Sequence, residues 1–203
     1  MEKFYLEPPS IKRKEEAIEY IKEHKKYNSK IHGTSRLDKY YNNYEKWLEI
    51  LENQKLESTC PKNYVPSNTY FLIKEDEDKI IGMIDIRHKL NEFLKNYGGH
   101  IGYGIRPTER QKGYNKINLY LALQKCQELG LDKVLITASD NNPGSYKTIL
   151  SLGGVLENKI PDDEEENIQL GRYWIEVNKS LEENYEIYKN QITTQTQSKQ
   201  RKY

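Results

Sequence analysis

The stretch HIGYGIRPTERQKGYNKINLYLAL, His100 to Leu123, decides the fold. HIGYGI reads as a strand that ends at Arg106-Pro107, because proline cannot donate to a ladder and sits where strands stop. A single glycine turn then opens a helix predicted from about Lys112 to Leu129, which Gly130 closes as the residue type that tolerates a left-handed cap. A strand that feeds a helix through such a turn leaves the first N–H groups of the helix unpaired and partially positive. Gly113 lets the main chain approach a bulky anion, Arg110 and Lys112 add charge, and nothing acidic lies between Arg110 and Lys116. The turn therefore reads either as a pyrophosphate cradle or as a helix start with no ligand. Other glycine motifs fail on spacing. Gly102 and Gly104 begin a GxG whose third glycine would fall at Pro107, and no GxxxxGK[ST] occurs.

Outward from this stretch the periodicity alternates between strand and helix. TYFLIK and KIIGMIDIRH, joined by EDED, read as a β-hairpin buried on both sides, preceded by an edge strand at Phe4 to Leu6. A helix begins near Lys14 with Ala17, Ile18 and Ile21 on one side. A second carries the stripe Leu37, Tyr40, Tyr41, Tyr44, Trp47, Leu48 and Leu51, which is read as a core face. KVLITA, Lys133 to Ala138, is an apolar inner strand. Asn142 as N-cap and Pro143 at the first helical position start another helix, which stops at Gly153-Gly154. VLENKI and IQLGRYWIEV finish the fold around the acidic loop PDDEEEN. The order predicts one α/β domain, α+β layered, with a mixed and mostly antiparallel sheet flanked by helices, over residues 1–178. Residues 179–203 are expected to be a polar, partly disordered helix and tail.

Composition bounds the function. The 203 residues suit one core, and 17 tyrosines supplement a hydrophobic content of 35%. Lys plus Arg (32) balances Asp plus Glu (31), so no global field draws the chain to nucleic acid or an anionic membrane. No apolar leader and no membrane-length apolar run occurs, which predicts a cytoplasmic protein. Cys60 and Cys126 lack CxxC or CxH partners, so no metal site is expected.

RQKGYN matches, with one departure, the R/Q-x-x-G-x-G/A motif of the GNAT acetyltransferase superfamily. GMIDIRHKLNEFLKNYGGHIGYGIRPTERQKGY (Gly82 to Tyr114) and NPGSYKTILSLGGVLEN resemble a bacterial subgroup of predicted acetyltransferases, and the element order agrees from Phe4 to Val177. The resemblance implies the acyl-CoA N-acyltransferase fold and acetyl-CoA as cosubstrate, with no metal. It places the pantetheine arm where HIGYGI and KVLITA splay apart, paired with main-chain groups near Ile105 and Arg106. Arg110, Gln111, Lys112, Gly113, Tyr114 and Asn115 would hold the pyrophosphate, and Asn142 and Ser145 would lie beside the arm. Two departures stand out: Asn115 replaces the usual glycine or alanine, and Ile149 stands where many members carry an acidic tyrosine.

The implied reaction is acetyl transfer to a primary amine by direct attack, without an acyl-cysteine, on a small-molecule or peptide acceptor; a homodimer is an open expectation. An amine of pKa about 10.4 is unprotonated only about once in 2,500 molecules at pH 7, so a base contributes to rate. His100 is the candidate base, or else a histidine that only bonds the Gly98-Gly99 turn. Tyr103 is the candidate acid, or else a packed strand tyrosine. Asp85, Arg87, His88 and Glu92 form a polar cluster that reads either as a structural pair of Asp85 with Arg87 or as an acceptor site. The alternative to an enzyme is an acyl-CoA-binding sensor or interaction module on the same fold.

Overall fold

The computed structural model describes residues 2–163 and 165–193. Among these described residues, seven strands and six α-helices follow in the order β1 (Phe4–Glu7), α1 (Lys14–Lys26), α2 (Leu37–Tyr40), α3 (Tyr44–Gln54), β2 (Ser67–Lys74), β3 (Lys79–Arg87), β4 (Ile101–Ile105), α4 (Tyr114–Glu128), β5 (Lys133–Ser139), α5 (Pro143–Ser151), β6 (Val155–Pro161), β7 (Gln169–Glu176) and α6 (Val177–Tyr188). One antiparallel sheet has the order β1-β2-β3-β4 and a second has β5-β7-β6. Helices cover both sides, as the α/β reading expects.

Alternation along β2 and β3 feeds two cores, because successive side chains leave a strand on opposite faces. Leu72, Ile84 and Ile86 join α4, α5 and α6 in one core. Phe71, Ile73, Ile80 and Met83 join Ala17, Tyr20, Ile21, Leu37, Tyr44, Trp47 and Leu51 in the other. The continuous apolar runs of the hairpin are thus the signature of a sheet covered on both faces.

Two expectations are corrected. The stripe from Leu37 to Leu51 is not one helix: the Asn43 side chain accepts from the Lys46 amide at 3.2 Å and starts α3 afresh after α2 has ended. The domain does not close at Asn178. Helix α6 buries Val177, Leu181 and Tyr188 in the α4-side core, and the Tyr188 ring stands 4.7 Å from that of Tyr120. The chain then returns to β1, where the Phe4 amide donates to the Gln191 carbonyl at 2.8 Å and the Thr193 amide to the Phe4 carbonyl at 2.9 Å. Residues 194–203 of the expected tail lie outside the described residues.

Candidate active site

Strands β4 and β5 meet at one end and part at the other. At the meeting point the His100 amide donates to the Leu135 carbonyl at 2.7 Å, and the Leu135 amide donates to His100 Nδ1 at 2.9 Å. Gly99, at φ +62°, makes this approach possible: a Cβ there would lie 2.5 Å from the Leu135 carbonyl oxygen. Beyond this point, among the described residues, β4 forms its ladder with β3 and β5 with β7, and not with each other, so a wedge opens toward Ile105 on one side and Ser139 on the other.

The ladder decides which groups face the wedge. The Arg87 amide bonds the His100 carbonyl and the Arg106 amide the Ile81 carbonyl, both at 2.8 Å. Alternate residues therefore point their main chain at β3, and the amides of Tyr103 and Ile105 and the Tyr103 carbonyl turn toward the wedge. Arg106 is corrected here. Its amide is committed to Ile81, its carbonyl accepts from the Glu109 amide at 2.9 Å, and its buried guanidinium bonds the Ile80 carbonyl at 3.0 Å and Glu23 at 3.1 Å. It ties α1 to the sheet. The Ile105 carbonyl is likewise taken, by Arg110 Nε at 3.1 Å.

At the mouth of the wedge, Gln111 (φ +63°) and Gly113 (φ +83°) curl the chain into the head of α4. Among the described residues, the amides of Gln111 through Asn115 have no backbone or side-chain acceptor. Gln111, Lys112 and Gly113 are exposed, and a Cβ built on Gly113 meets nothing within 4 Å. This is an open cradle of donors at a helix N-terminus, with no acid in its first turn. Lys112 reaches back to Glu109 at 2.8 Å, and Arg110 also bonds Ser29 Oγ at 2.6 Å. Burial works to raise the Glu109 pKa, yet Lys112 and Lys79 outweigh it and hold the carboxyl below its usual range. The Tyr114 side chain is corrected: it points away from the turn, packs on Phe4 and donates to Glu2 at 3.0 Å, so only its amide belongs to the cradle.

Tyr103 crosses from β4 to the head of α5. Its hydroxyl lies 2.9 Å from Ser145 Oγ, and burial raises its pKa well above the phenol range. Asn142 caps α5, its side chain accepting from the Ser145 amide at 3.1 Å. Asn115, in the first turn of α4, donates to Thr148 Oγ1 of α5 at 3.4 Å and leaves its own Oδ1 buried without a partner among the described residues. The structure thus brings Tyr103, Ser145, Asn142 and Asn115 to one side of the wedge. Ile149 is fully buried in the core, so no acid stands at that position.

His100 is corrected as a base. Its Nδ1 lone pair is spent on the Leu135 amide, and burial, followed by the Arg87 charge, pushes its pKa down to about 4. It splices the two sheets and packs edge-on against Trp174 at 6.2 Å. The polar cluster resolves as structural. Asp85 is buried, accepts from Thr69 Oγ1 at 3.0 Å and sits 3.4 Å from Arg87, which also donates to the Gly98 carbonyl at 2.7 Å. His88 bonds Asn68 instead, and Glu92 is an exposed partner of Lys95.

Sequence reasoning missed the other face of β4. Gly104 is crowded there by the His32 carbonyl oxygen, 3.0 Å from a built Cβ, and by the Tyr20 hydroxyl at 3.2 Å. Gly104 thus lies under the 28–33 loop, whereas at Gly102 the crowding atom is an Arg87 guanidinium nitrogen, 3.2 Å from a built Cβ. His24 donates from Nδ1 to the Lys30 carbonyl at 3.2 Å, and burial first, then Arg110, pushes its pKa down to about 4. Lys30 and Glu165 form an ion pair, so this loop and the β6–β7 loop touch. No spacing signal links residues so far apart.

The profile of the Acetyltransferase (GNAT) family matches residues 32–153. The chain belongs to the GNAT acetyltransferase family. The comparison with curated proteins finds no match. Among solved structures, the ribosomal-protein-S5-alanine acetyltransferase of Vibrio fischeri superposes with a TM-score of 0.62 at 13% identity, covering 87% of this chain and 94% of that one. The microcin C7 self-immunity acetyltransferase MccE, solved in complex with acetyl-CoA and AMP, gives 0.59 at 19% identity over 85% and 91%. A mutant spermidine/spermine N-acetyltransferase SpeG of Vibrio cholerae gives 0.60 at 15% over 90% and 98%. At these identities the likeness speaks to the fold. Among the described residues, no helix is long and apolar enough to cross a membrane.

Proposed function

We propose that this GNAT protein transfers the acetyl group of acetyl-CoA to a primary amine, which attacks the thioester directly. The observation that carries the reading is the unpaired-amide turn from Gln111 to Asn115 at the open end of the β4–β5 wedge. The residues present fit coenzyme A: donors without acceptors at the mouth suit a diphosphate, and the Tyr103 and Ile105 main chain suits an amide-bearing arm. Bound there, the cosubstrate supplies an activated acetyl group as a thioester.

The chain's own part is positional and protonic. The turn anchors the diphosphate with Arg110 and Lys112 beside it, and the exposed edge of β4 aligns the arm. The Tyr103 hydroxyl, kept protonated by burial and oriented by Ser145, donates to the departing thiolate, and the proton that the attacking nitrogen loses on becoming an amide restores the phenol. Cys126 takes no part as an acyl carrier, since burial pushes its thiol up to about 12. The names of the similar structures span polyamine and ribosomal-protein acceptors, which supports an amine acceptor of small-molecule or peptide type. A cytoplasmic setting suits that chemistry.

Mixing the protein with acetyl-CoA, an amine panel and a thiol reagent tests the reading. Amine-dependent thiol release is expected. A second reading, an acyl-CoA sensor, is favoured by Ile149 in the core and His100 in the splice. Saturable CoA binding without thiol release for any amine would select it.

A further inference from the structure

The side chain of Asn115, in the first turn of α4, does little for the fold. Its bond to Thr148 Oγ1 is long, at 3.4 Å, and its Oδ1 is buried without a partner among the described residues. A buried carbonyl oxygen left without a donor is destabilising, and alanine, the best helix former, would fill a helical turn without that cost. Stability therefore does not account for an asparagine at this point.

The neighbours fix which way its amide faces. The Thr148 hydroxyl spends its proton on the Gly144 carbonyl at 2.7 Å, so its oxygen can only accept, and the group turned toward it is the Asn115 NH2. That NH2 carries a second proton. Asn115 is also a hydrogen-bond partner of the Tyr103 hydroxyl, whose oxygen lies 2.9 Å from Ser145 Oγ. Burial raises the Tyr103 pKa, and hydrogen bonding from Ser145 and then Asn115 works against it. A phenol oxygen that accepts from both neighbours keeps its own proton free to point elsewhere, and after proton transfer the phenolate still has two donors. The main-chain amide of Asn115 belongs to the unpaired turn at the mouth of the wedge, so one residue joins the cradle to the acid.

We propose that Asn115 is a positioning residue for the Tyr103 proton: its Nδ2 donates to the phenol oxygen, turns the phenolic O–H toward the wedge and holds the phenolate that proton transfer leaves. The proposal rests on Tyr103 as the acid of acetyl transfer. In that step the amine nitrogen bonds the acetyl carbon as the carbon–sulfur bond breaks, Tyr103 gives its proton to the departing thiolate, and the proton that the nitrogen loses restores the phenol. Asn115 itself gives up no proton; it stabilises the oxygen on which charge develops.

A double-mutant cycle with Tyr103→Phe tests it, using acetyl-CoA and whichever amine of the panel the wild type turns over fastest. Asn115→Ala is expected to lower kcat about 10-fold, the effect of losing one donor to a charged oxygen, with the KM for acetyl-CoA and the calorimetric Kd for CoA within about twofold of wild type. Its melting temperature should equal or exceed that of wild type, because the orphaned oxygen is gone. In the Tyr103→Phe background the same change should have no further effect on kcat, since no phenol remains to be oriented. A readout without cosubstrate is the carbon NMR of protein labelled at tyrosine Cζ: the resonance lost in Tyr103→Phe should move in Asn115→Ala. An unmoved resonance, wild-type kcat in Asn115→Ala, equal losses in the two backgrounds, or a loss confined to CoA affinity overturns the proposal while leaving Tyr103 as the acid. Wild-type turnover in Tyr103→Phe, or no thiol release with any amine, overturns the acid and the proposal together.

Discussion

Replacing Gly113 by glutamate, with alanine as control, separates the phosphate turn from the fold that carries it. At φ +83° any L-residue costs about 1 to 2 kcal/mol, and because a Cβ there meets nothing within 4 Å, that backbone cost is the whole expected loss for Gly113→Ala. Gly113→Glu bears the same cost and adds one negative charge. Opposite a diphosphate of about two charges at roughly 5 Å, Coulomb repulsion is about 1.7 kcal/mol even at the dielectric of water, and several times more at an effective value near 20. CoA affinity should therefore fall at least about 20-fold between the alanine and glutamate variants, while their melting temperatures agree. Lys112 offers limited rescue, since its ammonium is already engaged by Glu109 at 2.8 Å. Calorimetric titration with CoA at low salt reads the first quantity and differential scanning the second. Equal dissociation constants for the two variants, within twofold, would refute the placement of the diphosphate.

Acid should unfold the protein through its buried histidines. His24 and His100 have folded pKa values of about 4, below the unfolded value of about 6.5. The unfolded chain binds their protons first, so their contribution is whole above pH 6.5 and is lost as pH falls toward 4, by up to about 3 kcal/mol each; urea melts at pH 7, 5.5 and 4.5 that superpose would contradict this. Tyr103→Phe should lower turnover about 10²-fold with CoA affinity retained, and wild-type turnover would remove the phenol from proton transfer. Leu181→Ala should cost about 2 to 4 kcal/mol in chemical denaturation, because α6 belongs to the core; a loss under about 0.5 kcal/mol would mean that α6 packs loosely.

Much of the site was legible because its signals are local. The glycine turn, the Asn142 cap and the hairpin alternation each depend on residues a few positions apart, and each has the predicted form. The Leu37 to Leu51 stripe misled for the same reason. Spacings of three and four persist across Tyr41 to Asn43, yet the Asn43 side chain bonds the Lys46 amide and restarts the helix, a competition that periodicity cannot register. The polar segment after Asn178 continues a narrow stripe begun at Val177, with Leu181 and Tyr188, whose value depends on finding Tyr120 opposite.

Residue by residue, the sequence alone determined the strand–turn–helix with its unpaired amides, the alternation of both cores and the resemblance that names the acetyltransferase family. Tertiary structure alone decided the work of His100, whose ring is claimed by Leu135 thirty-five positions away. It likewise committed Arg106 to Glu23, turned Tyr114 toward Glu2 and joined Tyr103 to Ser145. A side chain's lone pair or proton goes to whichever group the folded chain brings within about 3 Å, and for these residues that group is remote in sequence.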